Sequence, residues 1–184
     1  MNIDQFMKWD GGAHHGKLEL VDGIVRAMAP ASETHGTIQA RLAYLLTRHL
    51  VERGSGCRVV TEGGVVPRLN HGHNVRVPDL VVTCAPPDAS RMTVSEPILL
   101  VGVLSPGNEA ETWESIRAAV TIPTMTEDLV VDSERIHAEV WRKDDQGAWP
   151  KDPEVIESGG AVRLASIDAA LAIAEVYAGT QLVA

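Results

Sequence analysis

No apolar run in this chain is long enough to cross a bilayer. The longest, such as Ile98 to Leu104 and Ala169 to Ala174, fall far short of the roughly 20 residues a spanning helix needs. The N-terminus, Met1-Asn2-Ile3-Asp4-Gln5, carries an early acid and lacks the cationic start and apolar stretch of a secretory signal, so the expected compartment is the cytoplasm. Cysteine is nearly absent: Cys57 and Cys84 sit in apolar, strand-like surroundings and read as small buried thiols, rather than as a disulfide or a metal pair. Positive charge is also short, with 16 Lys and Arg against 25 Asp and Glu, a net charge of −9. The deficit is lopsided. Residues 1–92 hold ten basic and nine acidic side chains, whereas residues 93–184 hold six and sixteen. Such a chain is poorly suited to gripping a polyanion over its whole surface, so any nucleic-acid contact is local. Repeats, low-complexity tracts and long linkers are missing too, and 184 residues fit one domain, 1–184, with a real core.

The patterns that are present alternate between strand and helix. A short first helix is expected over residues 3–9. Glu19 to Met28 reads as two strands joined at Asp22-Gly23, a strong short-range hairpin signal. Ile38, Leu42, Leu45, Leu46 and Leu50 recur at three and four residues, which predicts an amphipathic helix over 33–53, capped by Ser32 or Thr34 and ended by Gly54. The valine-rich segments 58–66 and 74–83 read as strands around the turn Asn70-His71-Gly72-His73. Ile98 to Leu104 has the continuous apolar pattern of a strand covered on both faces, and Ser105-Pro106-Gly107-Asn108 breaks it before a helix over 109–120. Two more strands flank residues 132–135, two short ones lie near Val155 and Val162, and a helix is expected from Ile167 to Ala174. The fold class is α/β, with a central sheet.

Several side chains could carry chemistry. Pro78-Asp79 places a carboxylate at a strand, where aspartate is disfavoured and proline cannot donate to the ladder. His71 and His73 could share a metal, although between two asparagines they read better as an exposed turn, and His14-His15 has the same weakness. His35, in the first turn of the long helix, could act as base or ligand, or simply be partly exposed. Glu109, Glu111 and Glu114 complement the positive end of a helix without any catalytic role. Arg41 and Arg48 share a face of the long helix that reads as solvated.

Taken in order, these segments resemble the Uma-type restriction endonuclease family of the PD-(D/E)xK nuclease superfamily, over nearly the whole chain. The likeness is carried by Glu19-Leu20-Val21-Asp22-Gly23, Met28-Ala29-Pro30 through His35, Thr61-Glu62-Gly63-Gly64-Val65, Val77-Pro78-Asp79-Leu80-Val81-Val82, Val103-Leu104-Ser105-Pro106, Ile122-Pro123 through Asp132, and Glu139-Val140-Trp141. It implies a restriction-endonuclease-like mixed central sheet flanked by helices, DNA as substrate, a homodimer, and Mg²⁺ or Mn²⁺ held by two carboxylates, one of them Asp79, beside a lysine.

This chain departs from that pattern. The family's second carboxylate, just before Val-x-Ser-Pro, falls on Gly102, and its lysine falls on Ser115, while the acidic residue four places earlier is kept as Glu111. The expectation is therefore a restriction-endonuclease-like protein whose metal-dependent phosphodiester hydrolysis is lost or much reduced. Two alternatives stand beside it. One is an active enzyme with a rearranged site, in which Glu62, Glu109 or Glu111 brings the missing carboxylate and Arg76 the missing charge. The other is a non-catalytic binding or assembly module.

Overall fold

In the computed structural model, residues 1–12, 16–107 and 109–183 are described, so the histidine pair at 14 and 15 lies outside the described residues. The chain runs α1 (Ile3–Lys8), β1 (Leu18–Val21), β2 (Ile24–Ala27), α2 (Glu33–Glu52), β3 (Arg58–Thr61), β4 (Leu80–Thr83) and β5 (Pro97–Leu104). It continues through α3 (Glu109–Ala119), β6 (Glu127–Asp132), β7 (His137–Arg142), β8 (Glu154–Glu157), β9 (Ala161–Leu164), β10 (Ala169–Ala172) and α4 (Ile173–Val176). Strands β3 to β8 lie side by side in chain order in one mixed sheet. All neighbours are antiparallel except β5 and β6. A parallel pair needs a crossover, and α3 provides it.

Alternation along the buried strands divides the core in two. Leu99, Val101 and Val103 of β5 pack with Leu129 and Val131 of β6 against Ile38, Leu42, Leu45 and Leu46 of α2. On the opposite face Leu100 packs with Val81, Ala119, Ile122 and Met125. The helix α2 forms where its sequence says it should: Ser32 Oγ accepts the His35 amide at 3.2 Å. At the other end Gly54, at φ +62°, turns the chain so that the Ser55 amide reaches the Leu50 carbonyl. Asp22 and Gly23 both take positive φ, as a two-residue hairpin turn between β1 and β2 requires. Near the C-terminus the buried Tyr177 hydroxyl bonds the carbonyls of Asp132 and His137, and burial pushes its pKa up to about 12. Among the described residues no helix is long and apolar enough to cross a membrane.

Three expectations need correction. The valine-rich strands are shorter than 58–66 and 74–83. Glu62 takes φ +51° and ends β3, Pro78 cannot donate to a ladder, and the intervening residues pair elsewhere, Val65 with Arg76 and Val75 with Leu20. The segment 74–76 is thereby stitched to the β1–β2 hairpin. The helix expected from Ile167 to Ala174 is largely absent: Ala169–Ala172 is a strand paired with β9, alternately buried and exposed, and only Ile173–Val176 is α-helical. Asp168, at φ +50°, makes the tight reversal that lets this hairpin form. Finally, Cys57 and Cys84 are not free thiols but a disulfide, because the β3–β4 register carries these two positions to directly opposite places just beyond the paired strands.

That bridge closes a loop across 27 residues, fastening the edge strand β3 to the sheet. Chain-entropy arithmetic for a loop of this size gives about 3.6 kcal/mol of stabilisation. Urea unfolding with and without dithiothreitol should show a loss of about that size on reduction, and an unchanged midpoint would mean that the two sulfurs are not bonded in solution.

Candidate active site

The carboxylate of Asp79 is the point on which the polar groups converge. It lies one residue before β4, in register with Gly102 of β5, and is buried, with 7% of its surface exposed. Its Oδ2 accepts the Val103 amide at 2.7 Å. Its Oδ1 accepts Lys17 Nζ at 3.1 Å and His35 Nε2 at 3.1 Å. Gln39 Nε2 donates to its backbone carbonyl at 3.2 Å. Desolvation, the largest single influence, raises the Asp79 pKa. The His35 hydrogen bond, the Lys17 and His35 charges and the Val103 amide outweigh it together, so the group titrates below the ordinary carboxylate range.

His35 is buried rather than partly exposed, and its other ring nitrogen, Nδ1, is 2.8 Å from Ser105 Oγ. Lys17, His35, Glu62 and Asp79 open onto a cleft of about 370 Å³, walled on its apolar side by residues 28–31. Lys17 and Asp79 also line a smaller cavity of about 30 Å³ under α3, shared with Glu19, Arg76, Gly102, Ser115 and Asp128. A volume of that size holds one or two waters.

The structure brings together only part of the expected constellation. Gly102 faces α3, and a Cβ there would stand 3.3 Å from Thr112 Cγ2 and 3.8 Å from Ile116 Cδ1. A side chain there would press on Thr112, which must give by a few tenths of an ångström. Ser115 is tied to another group, its Oγ donating to Glu19 Oε1 at 3.2 Å. Arg76, buried, bonds Glu19 at 3.5 Å and lies 3.7 Å from Glu114, so its charge is spent on glutamates rather than offered to Asp79. Glu111 lines a separate cleft with Glu19, Arg26, Arg76 and Glu114, and Glu109 is exposed on the far side of α3. Of the three candidate replacements, Glu62 alone lines the Asp79 cleft, with its own amide bonded to the Asp79 carbonyl at 3.0 Å. His73 Nδ1 donates to the Met1 carbonyl at 3.0 Å, while His71 is exposed.

Three buried or half-buried ionisable groups of this region escaped the sequence reading. Lys17, one residue before β1, and Glu19 within it are two residues apart, a period-two spacing that was present in the sequence. Asp128 stands just ahead of the apolar run Leu129-Val130-Val131 at the start of a central strand, and in a sheet covered on both faces a carboxylate there is buried. It is fully buried, neither of its oxygens has a hydrogen-bond partner among the described residues, and desolvation drives its pKa well above the ordinary value.

Mg²⁺ or Mn²⁺ does not fit these residues. A hard divalent cation wants several oxygens, one or two of them from carboxylates that are free to face it. Here Asp79 is already saturated by a lysine, a histidine and an amide, Glu19 is held by Arg76, Ser115 and the Val77 amide, burial disfavours the charged form of Asp128, and no group of three His, Cys, Asp or Glu able to hold a metal occurs among the described residues.

A family model described as "Putative restriction endonuclease" (Uma2) matches residues 3–170. An uncharacterised protein of Synechocystis is 30% identical over 151 residues, which is 81% of this chain and 77% of that one. The crystal structure of a protein from Anabaena variabilis, described as "a putative nuclease belonging to DUF820", superposes with a TM-score of 0.75 and 16% identity, covering 96% of this chain and 97% of that one. At that identity the likeness shows the fold.

Asp128 yields a prediction about pH. Its folded-state pKa is raised, so the folded protein holds the proton more tightly than the unfolded chain. The resulting stability is complete below the unfolded carboxyl range. It falls as pH rises through the window between the unfolded and folded values, by about 1.4 kcal/mol per unit. Asp128→Asn keeps the shape and removes the titration. Unfolding free energies measured from pH 4 to 7 should therefore show the variant gaining on the wild type as pH rises, and parallel curves would refute a neutral, buried Asp128.

Proposed function

The chain belongs to the Uma2 family, and from that premise we propose that it is a restriction-endonuclease-like protein in which metal-dependent phosphodiester hydrolysis has been lost or much reduced. The observation that supports this most directly is the state of Asp79. In a two-carboxylate metal site that oxygen pair must face a cation with its charge uncompensated, whereas here Lys17 and His35 occupy the cation's side of Oδ1. Nothing at Gly102 or Ser115 restores an anionic oxygen or an amine.

The test is nicking of supercoiled plasmid. The wild type should not exceed background in Mg²⁺ or Mn²⁺, and Gly102→Glu with Ser115→Lys should recover some cleavage that neither change gives alone, because a metal ligand and a cation acting as one unit are strongly non-additive. Recovery is expected to be partial. A side chain at 102 must push Thr112 aside, and a lysine at 115 meets Glu19. Robust cleavage by the wild type that disappears in Asp79→Ala would overturn the proposal. It would favour the second reading, an active enzyme that uses Lys17 for the missing cation and Glu62, on the same cleft, for the missing carboxylate.

A homodimer belongs to the same proposal, as the commonest closed assembly. Light scattering at tens of micromolar should give about twice the 19.8 kDa of one chain, and a monomer's mass would remove it.

A further inference from the structure

We infer that the free edge of β3 is the docking surface for a second copy of this chain, the two edges pairing antiparallel across a two-fold axis. The inference rests on the homodimer proposed above and names the surface that forms it. Strands β3 and β8 are the two ends of the six-stranded sheet. They differ as edges. Strand β8 carries Glu154 and Glu157 at its two ends with no basic residue between them, and charge of one sign along an edge guards it against pairing. Strand β3, Arg58-Val59-Val60-Thr61, holds no proline and no acid, and its first three residues are only half-buried.

Which backbone groups this edge offers follows from its inner pairing. The Glu62 amide donates to the Asp79 carbonyl. Hydrogen-bonded pairs alternate along an antiparallel ladder, so Val60 and Arg58 also bond inward to β4, and the N–H and C=O groups of Val59 and Thr61 point away from the sheet. Among the described residues no backbone group outside the sheet bonds them. A second β3 meets these groups in the register that pairs Val59 with Thr61 of the second copy and Thr61 with its Val59. Val60 then faces its own counterpart on the axis. The same register sets Arg58 opposite Glu62, so that opposite charges meet on both sides of the axis. A shift to either neighbouring register loses this match, because Arg58 then faces Val60 or Gly64.

The flank of the edge suits burial. Val60, Thr61, Pro86, Met92 and Val94 line an open hollow of about 320 Å³ beside it, and Met92 is 71% exposed, apolar surface of the kind an interface covers. The Cys57–Cys84 bridge fastens the start of the strand to β4, so less conformational freedom is lost when the edge pairs. Glu62 also lines the Asp79 cleft, and pairing therefore brings Arg58 of the second copy to the rim of that cleft.

The experiment is sedimentation equilibrium on the full chain, whose outcome is independent of any cleavage result. The wild type should reach about twice the 19.8 kDa of one chain. Thr61→Pro removes an outward N–H that the chain's own ladder does not use, and should give the mass of one chain. Arg58→Glu and Glu62→Arg each set like charges opposite one another twice per dimer, and each should raise the dissociation constant about 10-fold or more. The double exchange, Arg58→Glu with Glu62→Arg, should restore the wild-type constant, a rescue that a folding defect would not give. Val155→Lys, exposed on β8, should leave the dimer intact. A wild type with the mass of one chain removes the homodimer and this inference together. A dimer that Thr61→Pro and the single charge changes leave unaltered keeps the homodimer and overturns the β3 edge. If Thr61→Pro fails to fold, the charge exchange decides by itself.

Discussion

A carboxylate taken out of water must be compensated, and the satisfaction of Asp79 ties together elements that are far apart in the chain. Lys17 comes from the segment leading into β1, His35 and Gln39 from the start of α2, and the Val103 amide from β5. Removing any one partner of a buried charge leaves the rest with an uncompensated group, a loss on the order of 3–5 kcal/mol for a buried ion pair. The hairpin, the long helix and the sheet are held in one arrangement by the group that any chemistry in the cleft would use.

Under α3 the same principle operates less completely. Glu19 is matched by Arg76, Ser115 and the Val77 amide, but the Arg76 Nε and both oxygens of Asp128 have no partner. In a site of the family's pattern this layer would hold a glutamate from position 102 and a lysine from position 115. Glycine and serine stand there instead, Thr112 and Ile116 of α3 lie over Gly102, and the cavity between them is of about 30 Å³. Glu19, Arg76 and Ser115 bond one another in this layer. The two faces of Asp79's neighbourhood have thus parted: the α3 side is closed and internally paired, and the α2 side is open and carries the Ser105–His35 contact.

Much of the fold was legible along the chain. The periods of α2 and β5, the Asp22-Gly23 hairpin and the Ser-Pro break needed no tertiary information, because each is a local preference that packing reinforces. The errors arose where local preference was weak. Ala169–Ala172 has helix-forming residues, but Asp168 at positive φ turns the chain back onto β9, and the strand pairing buries Ala169 and Leu171. Cys57 and Cys84 are 27 residues apart and looked like separate buried thiols until the antiparallel register brought them together.

The sequence by itself determined which chemical groups are available: a Pro-Asp at a strand, a glycine and a serine where a glutamate and a lysine were expected, and an acidic C-terminal half. Those are statements about residue identity in order, and order is enough to make them. Only the tertiary structure decided which of these groups meet. Lys17, His35 and Asp79 are separated by tens of residues, and a hydrogen bond of about 3 Å between them depends on the angle at which α2 and the β1–β2 hairpin dock on the sheet. That angle is set by the packing of Ile38, Leu42 and Leu45 against β5 and by the Leu20–Val75 bridge, interactions with no local signature.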